Sequence, residues 1–421
     1  MDSLQAERLI ERHASRNFLV NVLDGGLFFF GLSMVSRYTV LPLFVERLSG
    51  ERWTQGLIPM LTYTGWLLPG LFIAPLVAAR PRRKPFLLAA TTGERLPFLL
   101  LGLLLLLAPA TPPAMLFGMF IALYTVHAFS AGVASIPWQD FISRIIPGSR
   151  WGIFFGLQSG LGGLLGVGGA SIATAVLATQ PFPQSIGYLA LGCFAAMVCS
   201  FAFLASSIEP TLPAKQRQTF SDFFRSVVPL LRRDTRLRNY LLSRAAIALG
   251  MQGHSFVTAA ALERFKLPDA EVGIFTAALL GSTAASNLAL GWLADRWGHK
   301  QVLVLSALLG MAALLGAVVA PSPVWFLPIF ILVGAAQAGV TLTGFTLVFA
   351  FSEPSERATY IGVASTALAP IALIGPLAAG AFAQAAGYSA LFVVMAAVGL
   401  IGMVGLQLRV PAPARTPPEP V

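Results

Sequence analysis

The sequence predicts an all-α membrane protein: twelve transmembrane helices arranged as two pseudo-symmetric six-helix bundles. Three observations lead there. Long apolar stretches recur through the chain, basic residues collect in alternate gaps between them, and the second half repeats the first. The 421 residues are 56% hydrophobic and 11% charged, with a mean hydropathy of +0.76. An average soluble domain carries about 25% charged residues, so a soluble globule of this composition is excluded.

Twelve apolar segments occupy residues 17–44, 54–79, 85–108, 114–138, 152–178, 184–206, 239–262, 271–294, 301–320, 324–350, 358–386 and 388–408. Crossing a bilayer takes about 20 apolar residues, a length most of them reach. Of the 28 Lys and Arg, 21 lie in the N-terminal tail, the even-numbered gaps and the C-terminal tail. Four (Arg47, Arg52, Arg264, Lys266) lie in odd-numbered gaps, and three (Arg37, Arg95, Arg244) lie inside segments. Basic loops stay on the cytoplasmic side, which predicts both termini inside. The excess of Arg over Lys and the short loops fit a multi-pass protein of a prokaryotic inner membrane. Segment 1 is too long for a cleaved signal peptide and is expected to be retained. The net charge of +10 sits in short turns and one linker. That placement points to the lipid bilayer as the partner and to no nucleic acid.

The chain divides into a cytoplasmic tail (1–16), a first bundle (17–207), a linker (208–238), a second bundle (239–408) and a disordered tail (409–421) that holds five prolines. In the linker, Phe220, Phe223, Phe224, Val227, Leu230 and Leu231 recur at helical spacing opposite Asp222 and Arg225, as in an amphipathic surface helix. The halves echo one another: Arg16-Asn17-Phe18-Leu19 returns as Arg238-Asn239-Tyr240-Leu241, Glu46-Arg47 as Glu263-Arg264, and Ala131-Gly132-Val133 as Ala338-Gly339-Val340. Parallel repeats about an axis along the membrane normal build one large class of transporters. Cys193 and Cys199 have neither disulfide nor metal-ligand context.

Between segments 8 and 9 runs Gly291-Trp292-Leu293-Ala294-Asp295-Arg296-Trp297-Gly298-His299-Lys300. It resembles the cytoplasmic-loop signature G-x-x-x-D-R-x-G-R-R/K of the major facilitator superfamily, departing at His299. An acid at the end of one helix can neutralise the positive N-terminus of a helix in the other bundle, and a paired Arg holds it in place. The resemblance implies a transporter working by rocker-switch alternating access. It also implies a latch in which Asp295 meets the start of segment 5 near Arg150. In the corresponding loop, Pro75 to Lys84, the pattern is damaged: Ala79 replaces the acid, Pro75 and Arg82 replace the glycines, and Arg80 keeps the basic character. The resemblance spans about residues 17–408. Segment 5 carries Gly156, Gly160 and Gly163 among seven glycines, read as close-packing positions. It lacks the proline of the exporter signature, and the one Gly-Pro among the spans is Gly375-Pro376 on segment 11.

Ionisable groups inside spans are costly and mark function or pairing. Segments 1, 4, 7 and 10 line the cavity in the superfamily, so the resemblance suggests an Asp24–Arg244 contact across the pathway, either proton-coupling or a static ion pair. Glu94 and Arg95, adjacent on a helix, are expected to face apart and find partners elsewhere. Arg37, near the outer rim, either attracts an anionic substrate or snorkels. His127 and His254 are proton-relay or packing candidates, and Gln252 and Gln337 could hydrogen-bond substrate. No zinc spacing, P-loop or nucleophile motif is present, so the sequence predicts no enzyme and no cofactor. The expected partners are a small organic substrate and protons, for a chain acting as a monomer. The alternative from another class is a non-transporting membrane scaffold or assembly factor on the same fold.

Overall fold

The computed structural model describes residues 3–78, 80–147, 150–211, 229–351 and 357–411. The described residues are helices joined by short turns. The first half comprises α1 (Ser3–Met34), α2 (Val40–Ser49), α3 (Leu57–Ala78), α4 (Lys84–Leu107), α5 (Pro113–Ile145), α6 (Trp151–Thr179) and α7 (Gln184–Ser206). The second comprises α8 (Thr235–Met251), α9 (Val257–Phe265), α10 (Glu271–Trp297), α11 (His299–Val319), α12 (Phe326–Phe351) and α13 (Arg357–Arg409). Among the described residues, ten helices are long and apolar enough to cross a membrane. The last of these, Thr366–Arg409, is two helices meeting at Gly387, whose φ of 85° suits a residue without a side chain. With that division and the 22-residue α3, the described residues hold twelve long helical segments, as in a multi-pass membrane protein.

Local chemistry explains where the helices start and stop. Two prolines, Pro112 and Pro113, open α5. Asp234 caps α8 by accepting from the backbone N–H of Arg236 and Leu237 at 2.9 and 3.0 Å. The first turn of α4 is capped from a distance: the N–H groups of Arg83 and Lys84 donate to the two carboxylate oxygens of Glu209 at 2.7 and 2.9 Å. Gly298, at φ 94°, turns the chain from α10 into α11.

In the first bundle α1 packs on α6 and α7, and α4 on α5 and α7; in the second α13 packs on α8 and α11, and α12 on α10 and α11. Each bundle has its own aromatic core. Phe44 meets Phe120 edge-on at 5.1 Å, and Phe275 stacks on Phe330 at 4.7 Å. Because the helices alternate in direction, both termini and the basic loops share one end of the molecule, the terminal end. The odd-numbered loops form the distal end.

Three details depart from the sequence reading. Residues 3–16, expected as a tail, continue α1 as helix. Segment 1 is not one rod: it breaks at residues 35–39 between α1 and α2, and its counterpart breaks at Gln252–Phe256 between α8 and α9. Of the linker helix, Leu230 and Leu231 lie on a helical turn packed against the cluster around Leu237 and Tyr240. Phe220, Asp222, Phe223, Phe224, Arg225 and Val227 lie outside the described residues, as does most of the C-terminal tail.

Candidate functional site

Four of the sequence candidates converge inside the first bundle. Asp24, 5% exposed, accepts a hydrogen bond from Ser200 Oγ at 2.6 Å. Arg95 donates to the Met197 and Thr91 carbonyls, each at 2.9 Å, and to Ser200 Oγ at 3.3 Å. Its Nη1 lies 3.6 Å from Glu94 Oε2. His127 Nδ1 lies 2.8 Å from the Glu94 carbonyl, with its ring against Phe98. Two carboxylates, one guanidinium and one imidazole from α1, α4 and α5 thus share the buried interior of the first bundle with Ser200 of α7.

Two pairing expectations are corrected by this arrangement. Asp24 is joined to Ser200, which also accepts from Arg95, and not to Arg244. Arg244 belongs to the other bundle, where it donates to the Val340 carbonyl at 3.5 Å. Glu94 and Arg95 do not face wholly apart, because the flexible Arg side chain curls back toward its neighbour. His254, by contrast, sits inside the second bundle with Nε2 2.9 Å from the Gly310 carbonyl, a packing position between helices. Gln252 is buried in the break between α8 and α9, close to Gly375. Gln337 Nε2 is buried on α12 without a hydrogen-bond partner among the described residues.

A second constellation lies between the bundles. At the break after α1 the exposed Arg37 guanidinium stands 4.9 Å from the Tyr38 ring centroid and 5.8 Å from that of Tyr63 on α3. The Tyr38 and Tyr63 hydroxyls are 3.4 Å apart, and Tyr124 of α5 pairs with Thr62 at 2.7 Å. Tyr63 lies within electrostatic reach of both Arg37 and Arg244, one from each bundle. Arg37 therefore packs on aromatic rings of its own bundle.

At the distal end the bundles are tied together. Arg47 pairs with Asp269 at 2.5 Å, Arg52 pairs with Glu263, and the Arg52 N–H donates to Gln384 at 2.7 Å. Thr258 donates to the Tyr38 carbonyl at 2.7 Å, and Thr39 bonds Thr276. Gly56 lies so close to the Pro376 carbonyl that a side chain there would collide with it. A cavity of about 330 Å³ remains in this seal, lined by Leu43, Glu46, Arg47, Leu262, Glu263 and Lys266 with Leu267.

The α6–α10 seam changes along its length. A methyl on Gly163 would strike Ala284, Gly166 lies against Leu280, and Gly273 against Thr174. Two turns further toward the terminal end on the same faces, Gly156 and Gly291 meet no described atom within 4 Å, nor does Gly160. The seam is packed from the distal end to the middle and shows no such contact among the described residues at these three glycines.

The loop motifs are differently employed. Lys300 donates to the Gln407 carbonyl at 3.0 Å within its own bundle, Arg296 stacks 4.0 Å over Trp292, and His299 Nδ1 is buried. The Asp295 side chain lies outside the described residues; Arg150, at the head of α6, is exposed. In the damaged loop Arg80 stacks on Phe86, while Arg83 and Arg144 share Asp140, the latter at 3.2 Å. The acid missing at Ala79 is thus supplied from the end of α5. Sequence reasoning missed Asp140, Glu209, Ser200 and Tyr63. Asp140 and Arg144 stand at i,i+4 spacing, a signal that was available.

Residues 240–421 match the sequence profile of the Major Facilitator Superfamily. No curated protein matches the chain in sequence. Among solved structures, a mutant form of the nucleoside transporter NupG superposes with a TM-score of 0.72 at 14% identity, covering 93% of this chain and 98% of its own. The D-xylose-proton symporter gives 0.69 at 14% identity over 95% and 98%. The human organic anion transporter MFSD10 gives 0.61 at 18% identity over 94% and 99%. In sequence the C-terminal part of the chain matches the Major Facilitator Superfamily profile, and in fold the whole chain is like these solved transporters.

Proposed function

We propose that this protein is a secondary transporter of a small organic molecule that works by alternating access, with both termini in the cytoplasm and the inward-open form as the state described. The observation that carries this reading is the α6–α10 seam, packed at Gly163–Ala284 and splayed at Gly156 and Gly291, together with the polar ties at the distal end. A contact surface that is matched on both helices yet used over only part of its length suits two rigid bodies that rock. The residues left apart are small, as re-closure requires.

Proton coupling is the second part of the reading. One guanidinium neutralises one carboxylate, and the first bundle buries two, Asp24 and Glu94, beside Arg95. The remaining carboxylate is a natural place for a transported proton, since an uncompensated buried charge is costly. The fold shared with a D-xylose-proton symporter supports the same reading. Flux of a substrate panel into proteoliposomes under an imposed pH gradient tests both parts. Substrate-dependent flux that responds to the gradient is expected. Absence of flux and of substrate-induced stabilisation, with a partner protein co-purifying, would favour the scaffold alternative.

A further inference from the structure

We propose that the second bundle alone binds the anionic oxygens of the cargo, those of a carboxylate or phosphate group, between the guanidinium of Arg244 on α8 and the side-chain amide of Gln337 on α12. This rests on the transport reading and adds to it the chemical class of what is carried.

Helix packing brings the two side chains to one place. Arg244 Nη2 donates to the Val340 carbonyl at 3.5 Å and stands 3.2 Å from the point where a side chain on Gly344 would begin. Gln337, Val340 and Gly344 follow i, i+3, i+7 spacing and so share one face of α12. Gln337 precedes by three residues, about 4.5 Å along the axis, the carbonyl that Arg244 reaches. Tyr240, one turn before Arg244, fixes the register of the two helices by donating to the Gly344 carbonyl at 2.7 Å. A methyl on Gly344 would press the guanidinium aside, so this glycine sets its position.

Both tips await an acceptor. Arg244 Nη1 and Gln337 Nε2 are buried with no hydrogen-bond partner among the described residues, although each residue as a whole is only half-buried. Arg244 stands nine residues into α8, about 14 Å from its start. A half-exposed cation at that depth in a span faces a water-filled cavity and not lipid.

The second bundle holds no counter-ion for it. Helices α8, α11, α12 and α13 contain no Asp or Glu, and the acids of α9 and α10 stand near helix ends: Glu263 and Glu271 distal, Asp295 terminal. Asp24 and Glu94 are engaged with Ser200 and Arg95 inside the first bundle. Arg244 has no carboxylate within ion-pair distance among the described residues. A buried charge without compensation is costly. A cation would be repelled here, and a neutral polyol would leave the charge as it is. The planar fork of a guanidinium matches the paired oxygens of a carboxylate or phosphate, and the amide N–H of Gln337 is a second donor on the same face.

The test uses the full chain in lipid nanodiscs and follows thermal unfolding. With no ligand added, Gln337→Glu supplies the missing acceptor and is expected to raise Tm, a gain that should vanish when Arg244→Gln is added. Benzoate, succinate and phenyl phosphate serve as anions, choline as a cation and sorbitol as a neutral polyol. At least one anion is expected to raise Tm, with choline and sorbitol inert; preference for benzoate or succinate marks a carboxylate cargo, and preference for phenyl phosphate a phosphate cargo. Gln337→Glu and Arg244→Gln should each weaken that anion roughly tenfold or more, about 1.4 kcal/mol. Gly344→Ala should weaken it as well, whereas Arg264→Gln, whose side chain caps carbonyls at the distal end, should leave it unchanged. Gln337→Leu keeps the comparison sound if Arg244→Gln does not fold. Unchanged Tm in Gln337→Glu, stabilisation by choline or sorbitol instead, no stabilisation by any anion, or anion protection that survives Gln337→Glu would overturn the proposal. Flux of choline or sorbitol without anion protection removes the anion site and leaves the transporter; anion protection that Gln337→Glu abolishes, without flux, upholds the site and removes the transporter.

Discussion

Arg95 faces two carboxylates, Asp24 and Glu94, and its other hydrogens are spent on Met197, Thr91 and Ser200. Removing a buried partner that compensates charge costs about 3–5 kcal/mol. Arg95→Met should therefore lower Tm sharply, and adding Asp24→Asn should restore part of the loss; thermal unfolding of the single and double variants checks this. Asp24→Asn alone should abolish the response of flux to an imposed pH gradient, and wild-type pH behaviour would remove Asp24 from the coupling role. At the distal end, burial lifts the Glu46 carboxyl from 4.5 to about 7; Arg47 opposes this, and Glu263 and Asp269 add to it by repulsion. When the seal opens the group returns to its ordinary value. The closed form thus holds the proton more tightly, so the contribution to closure is complete below about 4.5 and is lost as pH rises through about 7. Solvent screening at this partly open site reduces it to about 1 kcal/mol. Distances between spin labels across the distal end should shorten on acidification, and Glu46→Gln should flatten that response.

At the scale of elements, α6 and α10 carry the movement in their glycines. Gly156→Leu adds bulk where α6 meets no described atom, so the described form should keep its thermal stability while turnover falls, because the terminal end can no longer close. Gly163→Leu acts where the helices already touch and should cost stability. Unfolding temperature and flux measured on both variants separate the two effects. The helices themselves were legible in the sequence, since a span of about 20 apolar residues has few alternatives in lipid. The breaks at residues 35–39 and Gln252–Phe256 were not, because Ser36, Arg37 and Gln252 interrupt hydropathy too briefly to divide a span. Nor was the packing of Arg37 on Tyr38 and Tyr63, which its distance from the start of segment 1 does not reveal.

For the whole molecule, the repeat offset foretold two bundles, whereas the contacts between them could not be read from spacing. Asp24 and Arg244 have similar depth in pseudo-equivalent segments, but depth does not say which face a side chain occupies. Asp24 turns into its own bundle because Ser200 and Arg95 supply hydrogen bonds there. The distal ties Arg52–Glu263 and Arg47–Asp269 hold this side shut. A disulfide made from Arg52→Cys and Glu263→Cys should stop flux and leave ligand binding from the open side intact, with recovery on reduction.

Asn17 clasps Ile208 in both directions, donating to its carbonyl and accepting from its N–H at 2.9 Å each, and Asn239 repeats the gesture toward the Arg409 carbonyl at 3.4 Å. Each set of six helices is thereby buckled into a ring by its own first and last members. Each ring is thus closed by residues outside the middle of the polypeptide that joins them. Two fragments severed within it and co-expressed should find each other in the bilayer and regain function, a complementation that a linker essential to assembly would not permit.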